Sequence, residues 1–190
     1  SDTMHRREDY EEVLEAFGRG ELDVLVGTQM IAKGLDFPRV TLVGIISADT
    51  ALHLPDFRAA ERTFQLLAQV AGRAGRSDLG GRIVVQTEAP SHPAVIHAAA
   101  HDYDAFAQAE DEIRSALSYP PHGRLIRVVF ESEVEQAVTE AAANLAAALR
   151  EALEGSGAMV LGPALAPFAL LRGRHCHHLM VKVPDDQAVP

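Results

Sequence analysis

The sequence predicts an α/β fold, a parallel sheet with helices, followed by a small α+β domain. Two patterns carry that reading. In the first half, short continuous apolar runs alternate with amphipathic helical stretches, and the second half reads strand, helix, strand, strand. A third observation is bulk: 190 residues, 47% apolar and 23% charged, suffice for one large domain or two small ones. Disorder would need fewer apolar residues.

Residues 8–17 predict a helix with Tyr10, Val13, Leu14 and Phe17 on one face, stopped by Gly18 and Gly20. Leu22 to Val26 is a short run, apolar apart from Asp23, ending at Gly27-Thr28, and Val40 to Ile46 is another, interrupted only by Thr41 and Gly44. Such runs suit strands buried on both faces of a parallel sheet. A helix is expected from about Phe57 to Ala74, then a strand at Arg82–Gln86.

The texture changes after Thr87. Pro90 and Pro93 bracket a loop and a short helix, and Asp102 to Ser118 predicts an acidic helix closed by Tyr119-Pro120-Pro121. Leu125–Phe130 predicts a strand, and Glu133–Leu153 a long helix with the stripe Val138, Ala142, Leu145, Leu149 and Leu153. Strands are expected to start at Met159 and to span His177–Val183. This places a boundary near residue 98, dividing the chain into 1–98 and 99–190.

Composition excludes several functions. The longest apolar stretch, Ala158 to Leu171, is short for a bilayer span and broken by Gly162, Pro163 and Pro167. Ser1 to Glu15 is strongly polar, so no secretory leader is expected. A lone cysteine, Cys176, excludes an internal disulfide framework and fits a reducing cytoplasm. The net charge of −10 argues against nucleic-acid binding by the whole surface. Of 17 basic residues only Lys33 and Lys182 are lysines; they follow Ala32 and Val181, so neither forms the Gly-Lys-Ser/Thr of a phosphate-binding P-loop.

Two segments concentrate chemistry. The first is Val26 to Pro38, VGTQMIAKGLDFP, directly after an apolar run. A strand ending in Gly27-Thr28 presents backbone N–H groups and a hydroxyl at the carboxyl edge of a sheet, where α/β ligands bind. Lys33 and Asp36 follow, able to meet a phosphate and a ribose or metal-bound water, but an ordinary strand-to-helix turn accounts for the same residues equally well. The second is Gln69-Val-Ala-Gly-Arg-Ala-Gly-Arg76. Helical spacing puts Gln65, Gln69, Arg73 and Arg76 on one face and Ala60, Phe64, Leu67 and Ala71 on the core face. Gly72 and Gly75 let a partner approach the backbone beside the arginines, whose guanidinium forks pair bidentately with phosphoryl oxygens. A solvated basic helix end is the plainer alternative, which two helical glycines disfavour.

These segments resemble motifs V and VI of superfamily 2 helicases, which lie in the second of two RecA-like lobes. The stretches GTQMIAKGLDFPRVTLV and LHLPDFRAAERTFQLLAQVAGRAGR, continuing through HDYDAF, YPP and MVLGP, are similar over nearly the whole chain to the PriA family of primosomal helicases. The resemblance implies a partial RecA-like helicase lobe 2 followed by the family's α+β C-terminal domain. It matches Arg73 and Arg76 to arginines facing the γ-phosphate of ATP, and Gln69 to a polar relay at the lobe interface. It places Gly27, Asp36 and Gly72 at the nucleotide, and Thr28, Gln29 and Lys33 where DNA contact couples to nucleotide state. Glu61 and Arg62 lie in the matching segment but read more simply as a surface ion pair.

The resemblance also implies parts that this sequence does not contain: a Walker A loop, an Asp-Glu-x-His box and a cysteine-rich zinc module upstream of motif V. Asp111-Glu112 is followed by Ile113-Arg114 in an amphipathic helix and is no such box. The expectation is a C-terminal fragment beginning inside the second lobe, inactive alone, from a protein using ATP, Mg and zinc. Forked or single-stranded DNA, primosome proteins and the acidic tail of single-stranded-DNA-binding protein are the implied partners, with no membrane. An adaptor role without hydrolysis is the alternative. In Arg172-Gly-Arg-His-Cys-His-His178, Arg174 matches the tail-binding strand, whereas His175 and His177 stand where the family has aromatics. A plain surface strand is preferred there, tail docking second and metal ligation third.

Overall fold

The computed structural model describes residues 7–28, 40–74 and 81–184, and the chain divides into two compact units. The first comprises Ser1–His53 and Arg58–Phe106. It opens with α1, Arg7–Arg19, which ends in a Schellman turn: Gly20 takes φ +78°, its N–H donates to Phe17 O at 3.0 Å, and Glu21 N–H reaches Ala16 O at 3.0 Å.

The expected strand at Leu22–Val26 is not formed. Val24 and Val26 are 75% and 76% exposed, and the described sheet of this unit has two strands, neither from this run. An apolar run becomes a strand only where a neighbouring edge takes its backbone hydrogen bonds and a second layer covers its side chains.

The sheet pairs β1, Leu42–Ile45, in parallel with β2, Arg82–Val85, in the register Leu42↔Arg82 to Ile45↔Val85. The expectation of strands buried on both faces is corrected here, since Leu42 and Val84 remain 60% and 51% exposed. Among the described residues only one face is covered. Ile45 and Val85 pack against a core of Ala48, Phe64, Leu67, Ala94, Val95, Ala98 and Phe106. That core is supplied by α2 with its flank (Asp49–Leu52), α3 (Ala59–Ala74), α4 (Pro93–Ala99) and the start of α5 (Tyr103–Ala116). Phe64 and Phe106 stack with centroids 4.3 Å apart. Thr63 is fully buried, its hydroxyl satisfied by Ala59 O at 2.9 Å. Pro93 opens α4 and His92 Nδ1 caps it, accepting the Ala94 N–H at 3.1 Å.

The second unit comprises Leu54–Phe57 and Ala107–Pro190, so the division falls within α5. It contains β3 (Gly123–Ser132), α6 (Glu135–Ala152), β4 (Met159–Leu171) and β5 (Arg174–Pro184). The sheet order is β3-β5-β4, antiparallel throughout, so the last strand occupies the middle. The predicted α6 stripe packs inward, with Val138, Ala142 and the following Leu153 buried and Leu145 and Leu149 partly so; Ala146, outside that stripe, is buried as well. Opposite them, β5 buries Leu179, Val181 and Val183. A helix laid on one face of a central strand thus makes the core of this unit.

Candidate functional site

Helix α3 carries the best-described part of the predicted site. Its sequence is amphipathic, and its apolar stripe is fixed by burial: Phe64, Leu67, Val70 and Ala71 are each less than one-tenth exposed. Gln65 and Gln69 lie on the exposed side, as the helical spacing requires. Gln65 Nε2 donates to Glu61 Oε1 at 3.1 Å, one turn back. Gly72 is exposed, and a Cβ added there would meet nothing within 4 Å. Arg73 stands in the last turn of α3, but its side chain lies outside the described residues, as does the whole of Arg76.

Gly27 and Thr28 are exposed, in a segment without regular structure. Gln29, Lys33 and Asp36 lie outside the described residues. Of the residues predicted to meet a nucleotide or DNA, the described geometry therefore brings together only Gln69 and Gly72, on the last turns of α3.

Sequence reasoning missed a polar cluster beyond the carboxyl ends of β1 and β2. Ala48 N–H donates to Gln86 O at 3.1 Å, extending the ladder past Ile45, and Ser47 adopts φ +55°. That turn sets Asp49 against the end of β2, where it accepts from Thr87 Oγ1 at 2.6 Å and from Glu88 N–H at 3.0 Å. These two bonds, the hydroxyl first, hold the Asp49 carboxyl below its usual range. The cluster borders an open hollow of about 340 Å³ whose walls include Thr50, His53 and Gln86. An acidic residue three positions after the apolar run of β1 was the available signal.

In the second unit, Arg174 is engaged on its own sheet. Its Nη2 donates to Glu131 O at 3.2 Å, and its Nε lies 3.8 Å from Glu131 Oε2. Cys176 is buried with Sγ 3.5 Å from Arg174 O. Burial, then the charges of Arg127 and His177, push the His178 imidazole below its ordinary value, favouring the neutral ring. Among the described residues, no three His, Cys, Asp or Glu side chains converge as a metal site would need. No described helix is long and apolar enough to cross a membrane.

Two family models match the chain. The helicase conserved C-terminal domain covers residues 2–78, and the primosomal protein N C-terminal domain covers 115–190. The first unit thus carries a RecA-like second lobe, and its class is that of the helicase C-terminal domains. Its relatives narrow the class. The replication restart protein PriA of Bacillus subtilis is 47% identical over 97% of this chain, and that of Treponema pallidum is 48% identical over 92%. The Haemophilus influenzae protein of the same name is 36% identical over 97%. The chain is a member of the PriA family. It spans about a quarter of the length of these relatives, which is 23% of the Bacillus, 26% of the Treponema and 25% of the Haemophilus protein.

Proposed function

We propose that this chain supplies half of an ATP-driven DNA translocase acting in replication restart. In this reading it contributes motif V and the arginine pair Arg73 and Arg76 to a nucleotide bound, with Mg, mainly by another lobe. The observation that carries it is the exposed face of α3. Gln69 and an uncrowded Gly72 are exposed on a helix whose other side is locked into the core, and Arg73 follows Gly72 in the sequence. A helix packed on one side and followed in the sequence by an arginine pair with glycines beside it suits a phosphate clamp, because guanidinium forks pair bidentately with phosphoryl oxygens. Gln69 acts as the polar relay behind them. Gly27, Thr28 and Gln29, with Lys33 and Asp36, couple a DNA phosphate to nucleotide state.

Partners follow from the same reading. The parent protein binds forked or single-stranded DNA and primosome proteins in the cytoplasm. The β5 strand with Arg174 receives the acidic tail of single-stranded-DNA-binding protein, which would compete with Glu131 for the guanidinium. Zinc is assigned to the parent protein and to no site among the described residues.

The test is Arg76→Ala in a full-length PriA carrying this sequence. Turnover falls by orders of magnitude, because a finger of this kind stabilises transition-state charge, while DNA affinity stays nearly unchanged. Equal loss of both would assign Arg76 to DNA instead. The purified 190 residues hydrolyse no ATP; DNA-stimulated hydrolysis by them would overturn the division of labour. A full-length protein that binds forks without hydrolysis would favour the adaptor reading.

A further inference from the structure

The hairpin of β4 and β5 reverses the charge of the chain as a whole. From Gly155 to Pro184 the sequence holds no Asp or Glu, in a chain with 27 of them and a net charge of −10. The same stretch holds Arg172, Arg174 and Lys182. Arg174 is tied to Glu131, and Lys182 Nζ donates to Leu117 O at 3.0 Å. Arg172 is exposed, and its side chain makes no hydrogen bond or ion pair among the described residues. Its backbone is at odds with its identity. Arg172 and Gly173 take φ +52° and +78°, as the two central residues of a tight hairpin turn that favours Asn-Gly. Positive φ is uncommon for arginine, and no side-chain partner among the described residues compensates for it here.

Beside this turn the ladder is interrupted. β4 pairs with β5 at Leu165↔His177 and again at Leu170↔His175, so Ala166, Pro167, Phe168 and Ala169 stand opposite Cys176 alone. Ala166 is buried and Pro167 fixes its own φ, yet Phe168 beside them is 73% exposed. One hairpin thus offers an open aromatic ring and, four residues on, a guanidinium with no partner of its own.

We propose that this hairpin is a contact for single-stranded nucleic acid, with a base stacked on Phe168 and a phosphate paired with Arg172. The inference rests on the DNA-binding function proposed above and gives it a surface in the second unit. Stacking needs an open ring face and tolerates any base, and a guanidinium fork pairs with phosphate oxygens. An anionic strand fits the longest acid-free stretch of a chain whose net charge repels it elsewhere. An extended peptide fits less well. It would add to a sheet edge through continuous main-chain hydrogen bonds, and β4 loses its regular register between Leu165 and Leu170.

The experiment uses full-length PriA carrying this sequence with Phe168→Ala, Phe168→Trp, Arg172→Ala and Arg172→Asn. The probe is a short labelled DNA single strand of mixed sequence, titrated over a range of salt concentrations. Phe168→Ala is expected to weaken binding about tenfold, while Phe168→Trp holds the affinity because an indole keeps a stacking face. Arg172→Ala should weaken binding and lower the slope of log affinity against log salt by about 0.7, the share of one phosphate contact on a single strand. Arg172→Asn separates the turn from the contact. Asparagine suits the turn, so the melting midpoint should hold or rise while affinity falls as far as with alanine. Unchanged affinity and salt slope in both alanine variants would overturn the proposal and leave the proposed function standing. So would a loss confined to an acidic peptide with an apolar end, which would make the hairpin a peptide site. If the unmodified protein binds no single strand, the DNA-binding function fails and the contact fails with it.

Discussion

Asp49 accepts the Thr87 hydroxyl at 2.6 Å and so ties the turn after β1 to the turn after β2. With the Glu88 N–H it fills both carboxylate oxygens, and the Asp49 carboxyl is held below its usual range. Asp49→Asn is expected to lower the melting midpoint of this chain, because one oxygen becomes an amide that faces a donor. A depressed carboxyl contributes stability that is fully present above its unfolded value, about 4, and lost as pH falls through the folded value. The gap between Asp49→Asn and the native chain should therefore be widest near neutrality and close below about pH 4. Melting curves from pH 7 to pH 3 check this; a gap that stays constant with pH would show that the charge contributes nothing.

The second unit rests on the contact of α6 with β5, where Leu179 is fully buried and Ala142 and Ala146 present no more than a methyl group. Leu179→Ala should cost about 2–5 kcal/mol through lost transfer energy and a residual cavity. Ala146→Leu should cost about 1–3 kcal/mol for the opposite reason, since the helix cannot back away from a packed strand. Urea denaturation measures both. Near-neutral values for Ala146→Leu would mean the interface has room that its burial denies.

How much of this was legible in the sequence depended on where each residue's partners lie. The α3 stripe of Phe64, Leu67 and Ala71 could be read from spacing because a helix satisfies its own backbone, leaving only side chains to place. The run at Leu22–Val26 could not, because a strand needs another edge and another layer, neither of which is encoded in the run itself. The central place of β5 was equally invisible, since sheet order is a property of pairing and not of any single strand. Asp49 was missed because its meaning depends on Thr87, 38 residues away. Arg114 was passed over within a decoy Asp-Glu pair, and nothing local announces that its ring partner is Phe57. At the predicted site, Gln65 and Gln69 fall on the exposed face that their spacing implies, and Gly72 is exposed too; Gly27 and Thr28 are exposed without the strand expected to present them.

Gly123 tests the entry to β3. A Cβ there would stand 2.9 Å from Val183 O on the paired strand and closer still to Ser118 O, both of them backbone atoms that cannot swing aside. Gly123→Ala is expected to destabilise the second unit by at least the usual cost of overpacking, about 1–3 kcal/mol. It should also release the Ser118–Gly123 turn, read as faster exchange at the His122 N–H that now donates to Tyr119 O at 2.8 Å. A variant as stable as the native chain would show that the turn can shift without loss.

Gly72 gives the opposite test, because its helix would be better off without it. Glycine costs a helix interior about 0.5–1 kcal/mol relative to alanine. Here the usual excuse of crowding is missing, since an added Cβ meets nothing within 4 Å. A glycine with this much room among the described residues leaves its backbone open to a partner, as the proposed function needs. Gly72→Ala should therefore raise the stability of this chain by about 0.5–1 kcal/mol, measured by denaturation. In full-length PriA carrying this sequence it should reduce DNA-stimulated ATP turnover, because the new methyl stands on the exposed face beside Arg73. Gain of stability with loss of turnover would place the nucleotide or the opposing lobe against this helix. Gain of stability with full turnover would leave Gly72 as a local imperfection and remove the main support for a close approach at α3.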